Sequence, residues 1–78
     1  MRNPNPAGWR LEIELDDRSR RRTVTLDYRS RETLDRQLAQ LRDLDRSAYG
    51  RLLEFRNENG EALAVVAAIY ARHSVKSL

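Results

Sequence analysis

The chain has 78 residues, of which 40% are hydrophobic and 35% charged, and it carries a net charge of +3 at pH 7. This length allows one domain with a small core, because such a chain buries only about 60–65% of the surface that it exposes when unfolded. No apolar run reaches the ~18 residues of a membrane helix, and we expect no signal peptide. The absence of cysteine excludes disulfides, and a single histidine leaves no metal site. We therefore expect a non-enzymatic, cytoplasmic protein without a metal or cofactor.

The basic residues have an unusual composition, since all but Lys76 are arginines. This bias reflects either GC-rich coding or a guanidinium surface that binds carboxylates or phosphates in a bidentate manner. Most arginines have an acid nearby in the sequence. The exception is a cluster of four within five residues, which we call the tip arginines: Arg18, Arg20, Arg21 and Arg22.

Residues 1–8 contain both prolines and show no periodicity, so we predict a flexible or extended arm followed by a single domain over 9–78. Apolar residues then alternate with polar ones in 9–15 and again in 23–28, which predicts an antiparallel hairpin with one buried face. Placing Asp16 opposite Arg21, with 17–20 as the loop, brings apolar residues opposite one another, whereas a one-residue slip would not. This register pairs Trp9 with Tyr28, Leu11 with Leu26, Ile13 with Val24, Glu14 with Thr23, Glu12 with Thr25 and Arg10 with Asp27.

An amphipathic helix of about four turns is predicted next. Ser30 is a good N-cap residue, and Glu32 lies in the first turn, where the helix dipole favours acids. Glu32 and Arg36 have the spacing of an i,i+4 ion pair. The segment stops at Gly50. The apolar stripe consists of Leu34, Leu38, Leu41 and either Leu44 or Ala48.

A second hairpin is predicted from residues 52–55 and the apolar run 62–71. Asn59–Gly60 suits a two-residue type I′ turn, because both central positions of that turn need a positive φ. This turn places Phe55 opposite Ala64 and Leu53 opposite Val66. The unbroken run 62–71 is typical of a strand covered on both faces, although a C-terminal helix is an alternative. Residues 74–78 add a short extended segment.

Together these elements predict an α+β domain of order ββαββ, with one four-stranded, mainly antiparallel sheet and one helix on one face. This order, over residues 9–71, resembles that of several small phage-encoded inhibitors, anti-CRISPR proteins among them, and the resemblance implies a role as an accessory or inhibitor protein. The predicted core consists of Trp9, Leu11, Ile13, Val24, Leu26, Tyr28, Leu34, Leu38, Leu41, Leu53, Phe55, Ala64 and Val66.

No arrangement in the sequence predicts catalysis. His73 has no nucleophile or acid placed to act with it, since Ser74 follows it directly along an extended chain. The acidic pairs Asp16–Asp17 and Asp43–Asp45 are typical of solvated surfaces, and so small a core leaves little room for a pocket.

Two surfaces are candidates for binding. The first is the second face of the last strand, which the helix would leave uncovered unless residues 1–8 or 72–78 fold over it; we predict that it is a protein interface and that the chain forms a homodimer or higher oligomer. The alternative function is nucleic-acid binding by the tip arginines, or contact of these arginines with an acidic partner. The predicted protein interface consists of Leu63, Val65, Ala67 and Ile69.

Overall fold

A computed structural model of the protein describes residues 8–42, 44 and 50–78. The predicted arm lies outside these residues except for Gly8, which is buried and accepts a hydrogen bond from the N–H of Leu78 at 3.0 Å. The described elements are, in chain order, β1 Trp9–Asp17, β2 Arg20–Tyr28, α1 Arg31–Arg42, β3 Leu52–Arg56, β4 Ala62–Val66, a 3-10 turn Ala67–Ile69 and β5 Tyr70–Ser77.

The α+β class with one helix and antiparallel pairing is confirmed, but the single four-stranded sheet is wrong. The described strands form a three-stranded sheet of order β2-β1-β5 and a separate two-stranded sheet of β3 and β4. The fifth strand changes the element order on which the resemblance to phage-encoded inhibitors was based.

The two sheets separate because the apolar run 62–71 is not one strand. It leaves the two-stranded sheet after Val66, makes the 3-10 turn and continues as β5, which pairs with β1. The C-terminal helix alternative is wrong as well, because this turn spans only three residues. Opposite charges stabilise the new pairing: Arg72 Nε lies 2.6 Å from Glu14 Oε2, and Lys76 Nζ lies 3.3 Å from Glu12 Oε1.

The first hairpin has the predicted register at every pair. The strands run further than expected, to Asp17 opposite Arg20, so that only Arg18 and Ser19 form the turn. Arg18 has a φ of 48°, and the N–H of Ser19 donates to the carbonyl of Asp17. A two-residue turn with a positive φ matches the twist of its flanking strands.

The helix begins as predicted. The N–H of Thr33 donates to Ser30 Oγ at 3.3 Å, and Arg36 Nη2 lies 2.7 Å from Glu32 Oε1. It ends at Arg42, so the predicted four turns are too long and Leu44 lies beyond the helix. Ala48 and Asp43 lie outside the described residues.

The second hairpin is shifted by one residue from the prediction, with Phe55 opposite Leu63 and Leu53 opposite Val65. Gly60 has a φ of +82°, but Asn59 does not share a positive φ, so Asn59–Gly60 is not a type I′ turn. The loop is longer: it closes where the N–H of Asn57 donates to the carbonyl of Glu61 at 3.0 Å. A one-residue shift moves every side chain to the opposite face.

The core lies between the inner faces of the two sheets and α1. The shifted register corrects two predicted members, because Val66 is 41% exposed and Ala64 is exposed as well. Trp9, Val24, Leu38 and Leu41 are partly buried around the core. The buried residues are Leu11, Ile13, Leu15, Leu26, Tyr28, Leu34, Leu53, Phe55 and Val65.

Candidate protein interface

The residues predicted as an interface lie on the inner side of the molecule, so the predicted assignment of faces is wrong. Val65 is only 2% exposed, and the other three are partly buried against the core. The physical reason is the shifted register of β3 and β4, which turns Val65 inward and Val66 outward. Residues 72–77 pair with β1 as part of the three-stranded sheet. The partly buried residues are Leu63, Ala67 and Ile69.

The outward residues of β4 instead form an open sheet edge. Hydrogen bonds from Ala67 N to Arg51 O at 2.8 Å and from Asn57 N to Glu61 O mark the residues that bond across the hairpin. In an antiparallel pair these residues alternate with residues whose N–H and C=O point away. No described strand pairs with the outward groups of β4. We call these groups the β4 edge; they belong to Ala62, Ala64 and Val66.

The opposite edge of the same sheet is closed by two side chains of α1. Gln40 Nε2 donates to the carbonyl of Glu54 at 2.9 Å, and Gln40 Oε1 accepts from the N–H of Glu54 at 3.3 Å. Gln37 Oε1 accepts from the N–H of Arg56 at 2.9 Å. The two amides thus take the place of a neighbouring strand along β3. Neither glutamine was among the predicted site residues, although two glutamines three residues apart beside a leucine stripe were a usable signal.

The outer strands of the three-stranded sheet carry charge, which discourages pairing with another chain. The start of β2 holds three of the tip arginines, and β5 holds Arg72 and Lys76. The pairing of β5 with β1 is also irregular, with a register shift between Glu14 and Leu15. By contrast, β4 has the sequence AlaLeuAlaValVal, which contains no charge and no proline.

An exposed apolar pair lies beside the β4 edge. Leu52 on β3 is 55% exposed and stands directly opposite Val66, which is 41% exposed. These two residues occupy a position of the ladder without mutual hydrogen bonds, where the facing backbones come closest. The two apolar side chains therefore lie directly beside the outward backbone groups of the edge, an arrangement that the predicted register hid because it turned Val66 inward.

The tip arginines all lie exposed at the far end of the first hairpin. Within the described chain none of them forms an ion pair, although Asp16 and Asp17 stand opposite Arg21 and Arg20. Five other arginines of the described residues do form ion pairs with acidic side chains. These are Arg10, Arg31, Arg36, Arg56 and Arg72.

A groove of about 440 Å³ lies between α1 and β5. Its wall contains Leu38 and Leu41 together with Asp35 and His73. Arg42 also lines the groove, and the two other polar members have partners: His73 Nδ1 lies 2.9 Å from the hydroxyl of Tyr70, and Arg31 Nε donates to Asp35 Oδ1 at 2.9 Å.

Among residues 8–42, 44 and 50–78, no helix is long and apolar enough to cross a membrane, and no group of three or more His, Asp or Glu residues could hold a metal ion. Comparison of the chain with protein-family models, with curated proteins and with solved structures found no match.

Proposed function

We propose that this protein is a non-enzymatic binding module that accepts a strand of a partner protein at the β4 edge. The observation that supports the proposal is the contrast between the outer strands of the described sheets. Glutamine side chains close β3, and charged residues line β2 and β5, whereas β4 has neither protection. Natural sheets usually protect such edges, because an unprotected edge pairs with other chains.

The β4 edge has the parts that strand addition needs. Its three outward residues offer N–H and C=O groups, and main-chain hydrogen bonds of this kind supply the affinity in strand addition. The side chains of Ala62 and Ala64 are too small to keep an incoming backbone away. Leu52 and Val66 provide an apolar surface on which a side chain of the partner strand can pack, which gives selectivity.

A peptide selection tests this proposal. Peptides are first selected from a random displayed library for binding to the parent protein. They should no longer bind the variant Ala64→Pro, because this substitution removes the outward N–H of residue 64. The hydrogen bonds between β3 and β4 should survive, because Ala64 bonds outward. Ala64→Lys is a second variant that keeps the N–H but places a charge on the edge.

Thr25→Lys is the matched control, since it puts the same charge at an exposed position in the middle of β2. Selected peptides should bind this variant as they bind the parent protein. Peptides that bind the parent protein, Ala64→Pro and Thr25→Lys equally would contradict the proposal, as would a selection that returns no peptide.

A second candidate is nucleic-acid binding through the tip arginines, and their lack of ion-pair partners favours it. Glu12 and Glu14, which share the hairpin with them, are already neutralised by Lys76 and Arg72. Under the strand-addition proposal, duplex DNA should bind weakly and without sequence preference, with a dissociation constant of about 10⁻⁴–10⁻⁶ M at physiological salt. Tight binding with a steep salt dependence, lost when all four tip arginines become Ser, would favour this second function instead.

A further inference from the structure

We infer that the strand accepted at the β4 edge is β4 of a second copy of this chain, paired antiparallel with Ala64 opposite Ala64 of that copy. This inference rests on the proposed function and names its partner. A two-fold axis then passes between the two Ala64 residues, and Ala62 of each copy lies opposite Val66 of the other. The result is a continuous sheet of order β3-β4-β4-β3.

The hydrogen-bonding pattern of β4 fits this register. Residues with outward N–H and C=O groups must face residues of the same kind, and the axis at Ala64 brings outward residues together at all three positions. Each of these pairs can exchange two main-chain hydrogen bonds. A register slipped by one residue, with Ala64 opposite Val65, would instead place outward groups opposite groups that already bond to β3.

The side chains of β4 are self-complementary as well. A two-fold axis sets a residue near its own copy, so a charge at the centre of the strand would face the same charge. On β4 every cross-strand pair would be apolar: Ala64 with Ala64, Ala62 with Val66, and Leu63 with Val65. The other outer strands lack this uniformly apolar character, since β2 carries Arg20–Arg22 and β5 carries Arg72 and Lys76.

The pairing would also complete a sheet that is small in the single chain. An isolated two-stranded sheet is marginal, and three or more strands with an apolar face are needed for independent stability. In the paired sheet, Leu52 and Val66 continue into Ala62 of the second copy as one apolar row. On the inner side, the half-buried Leu63 gains Val65 of the second copy as a neighbour.

Cysteine crosslinking tests both the partner and the register, because the chain has no cysteine of its own. Facing residues of a hydrogen-bonded antiparallel pair have Cα atoms about 5.5 Å apart, which lies within the range of a disulfide, about 4.4–6.8 Å. Ala64→Cys should therefore form a covalent dimer in a mild oxidising buffer. Thr25→Cys, an exposed site on β2, should give only background crosslinking.

Two further variants fix the register. Ala62→Cys alone should not crosslink, because the two copies of residue 62 would stand about 13 Å apart along the strands, four residues at ~3.3 Å each. An equal mixture of Ala62→Cys and Val66→Cys should form the mixed dimer. Crosslinking of Ala62→Cys with itself, at the level of Ala64→Cys, would overturn the register.

Sedimentation equilibrium over a concentration series gives an independent measure. The parent protein and Thr25→Lys should shift together toward the dimer mass, whereas Ala64→Pro and Ala64→Lys should remain monomeric with a folded circular dichroism spectrum. A dimer that persists in both Ala64 variants would overturn the inference, because the copies would then associate elsewhere.

The remaining outcome separates this inference from the proposed function. If the parent protein stays monomeric up to millimolar concentration and Ala64→Cys crosslinks no better than Thr25→Cys, a second copy is not the partner. Selected peptides that bind the parent protein but not Ala64→Pro would still establish strand addition in that case. Failure of both experiments would remove the proposed function together with the inference.

Discussion

The two edges of the two-stranded sheet are only about one strand spacing apart, yet the chain treats them in opposite ways. Along β3, the amide of Gln40 bonds both outward backbone groups of Glu54, and the amide of Gln37 accepts from the N–H of Arg56. Along β4, nothing in the described residues does so. A helix that already packs on the core can therefore close an edge at little cost, since two side chains suffice. The fold therefore closes one edge of this sheet with side chains and leaves the other edge open.

The largest expected effect is a difference in stability between substitutions on the inner and the outer face of β4. Val65→Arg should unfold the domain, because it buries an unpaired charge at a site that is 2% exposed, and we expect a loss of more than about 4 kcal/mol. Val66→Arg, one residue further, should leave the fold intact while blocking the β4 edge. Chemical denaturation followed by circular dichroism measures both variants. Equal stability of the two variants would contradict the observed faces.

The next effect concerns the loop that decides which residues lie on the edge. Gly60→Val should lower the free energy of unfolding by about 1–3 kcal/mol, because a β-branched residue resists the φ of +82°. The space around the glycine is open, so backbone strain is the only cause. Gly50→Val is the control, since Gly50 also has open space but no positive φ. Urea denaturation gives the comparison, and equal losses would show that φ is not the cause.

A smaller effect is expected when the closed edge is opened. Gln40→Ala removes the side-chain bonds to Glu54, and we expect a loss of about 1 kcal/mol, the net value of an exposed hydrogen bond or two. With both edges open, sheets can add at each side, so light scattering should rise at high concentration. Arg36→Ala, which removes only an exposed ion pair, should change neither quantity measurably. Scattering that rises equally in both variants would contradict the role of Gln40.

The smallest effect is a pH dependence at the loop between β3 and β4. Desolvation acts to raise the pKa of Glu58, but hydrogen bonds from the N–H groups of Arg29 and Ser30, at 3.0 and 2.9 Å, and from the Thr33 hydroxyl outweigh it, so the pKa lies below its ordinary value of 4.5. Because the pKa of Glu58 is lower in the folded chain than in the unfolded chain, its carboxylate stabilises the fold above the ordinary value of 4.5. This contribution is lost as the pH falls through the folded-state pKa.

Glu58→Gln should therefore flatten the decline in the denaturation midpoint between about pH 5 and pH 3. An identical acid decline in the parent protein and in Glu58→Gln would show that these hydrogen bonds do not favour the carboxylate.

The register of the first hairpin could be predicted from the sequence and that of the second could not, although the turn of the first is shorter than expected. In the first hairpin, both strands alternate clearly, so only one register buries apolar residues on a common face. In the second, the run 62–66 is apolar on both faces and cannot distinguish two registers. The loop decided the register instead, through the side chain of Asn57, which accepts from the N–H groups of Asn59 and Glu61 at 3.1 and 2.9 Å.

The wrong register of the second hairpin also made the predicted interface wrong. A shift of one residue placed Val66 in the predicted core and Val65 on the predicted outer face, whereas the structure has them reversed. The fifth strand was predicted only in part, as a short extended segment over 74–78, because Tyr70 and Val75 are its only half-buried residues and give little alternation. Its signal lay in charge: Glu12 and Glu14 on β1 match Lys76 and Arg72 on β5. Such pairings across 58 or more residues become visible only when two strands are compared directly.

The pairing of β1 with β5 also has a consequence for the order of folding. The central strand of the three-stranded sheet meets one partner immediately after it in the chain and the other at the far end, Trp9 with Ser77. Contacts between such distant residues form slowly, because a long loop must close before they can stabilise anything. The two hairpins and the helix can therefore assemble as local units, with β5 docking last. During synthesis, one edge of β1 stays unpaired until β5 has left the ribosome, and the acidic residues on β1 discourage pairing with other chains in the meantime.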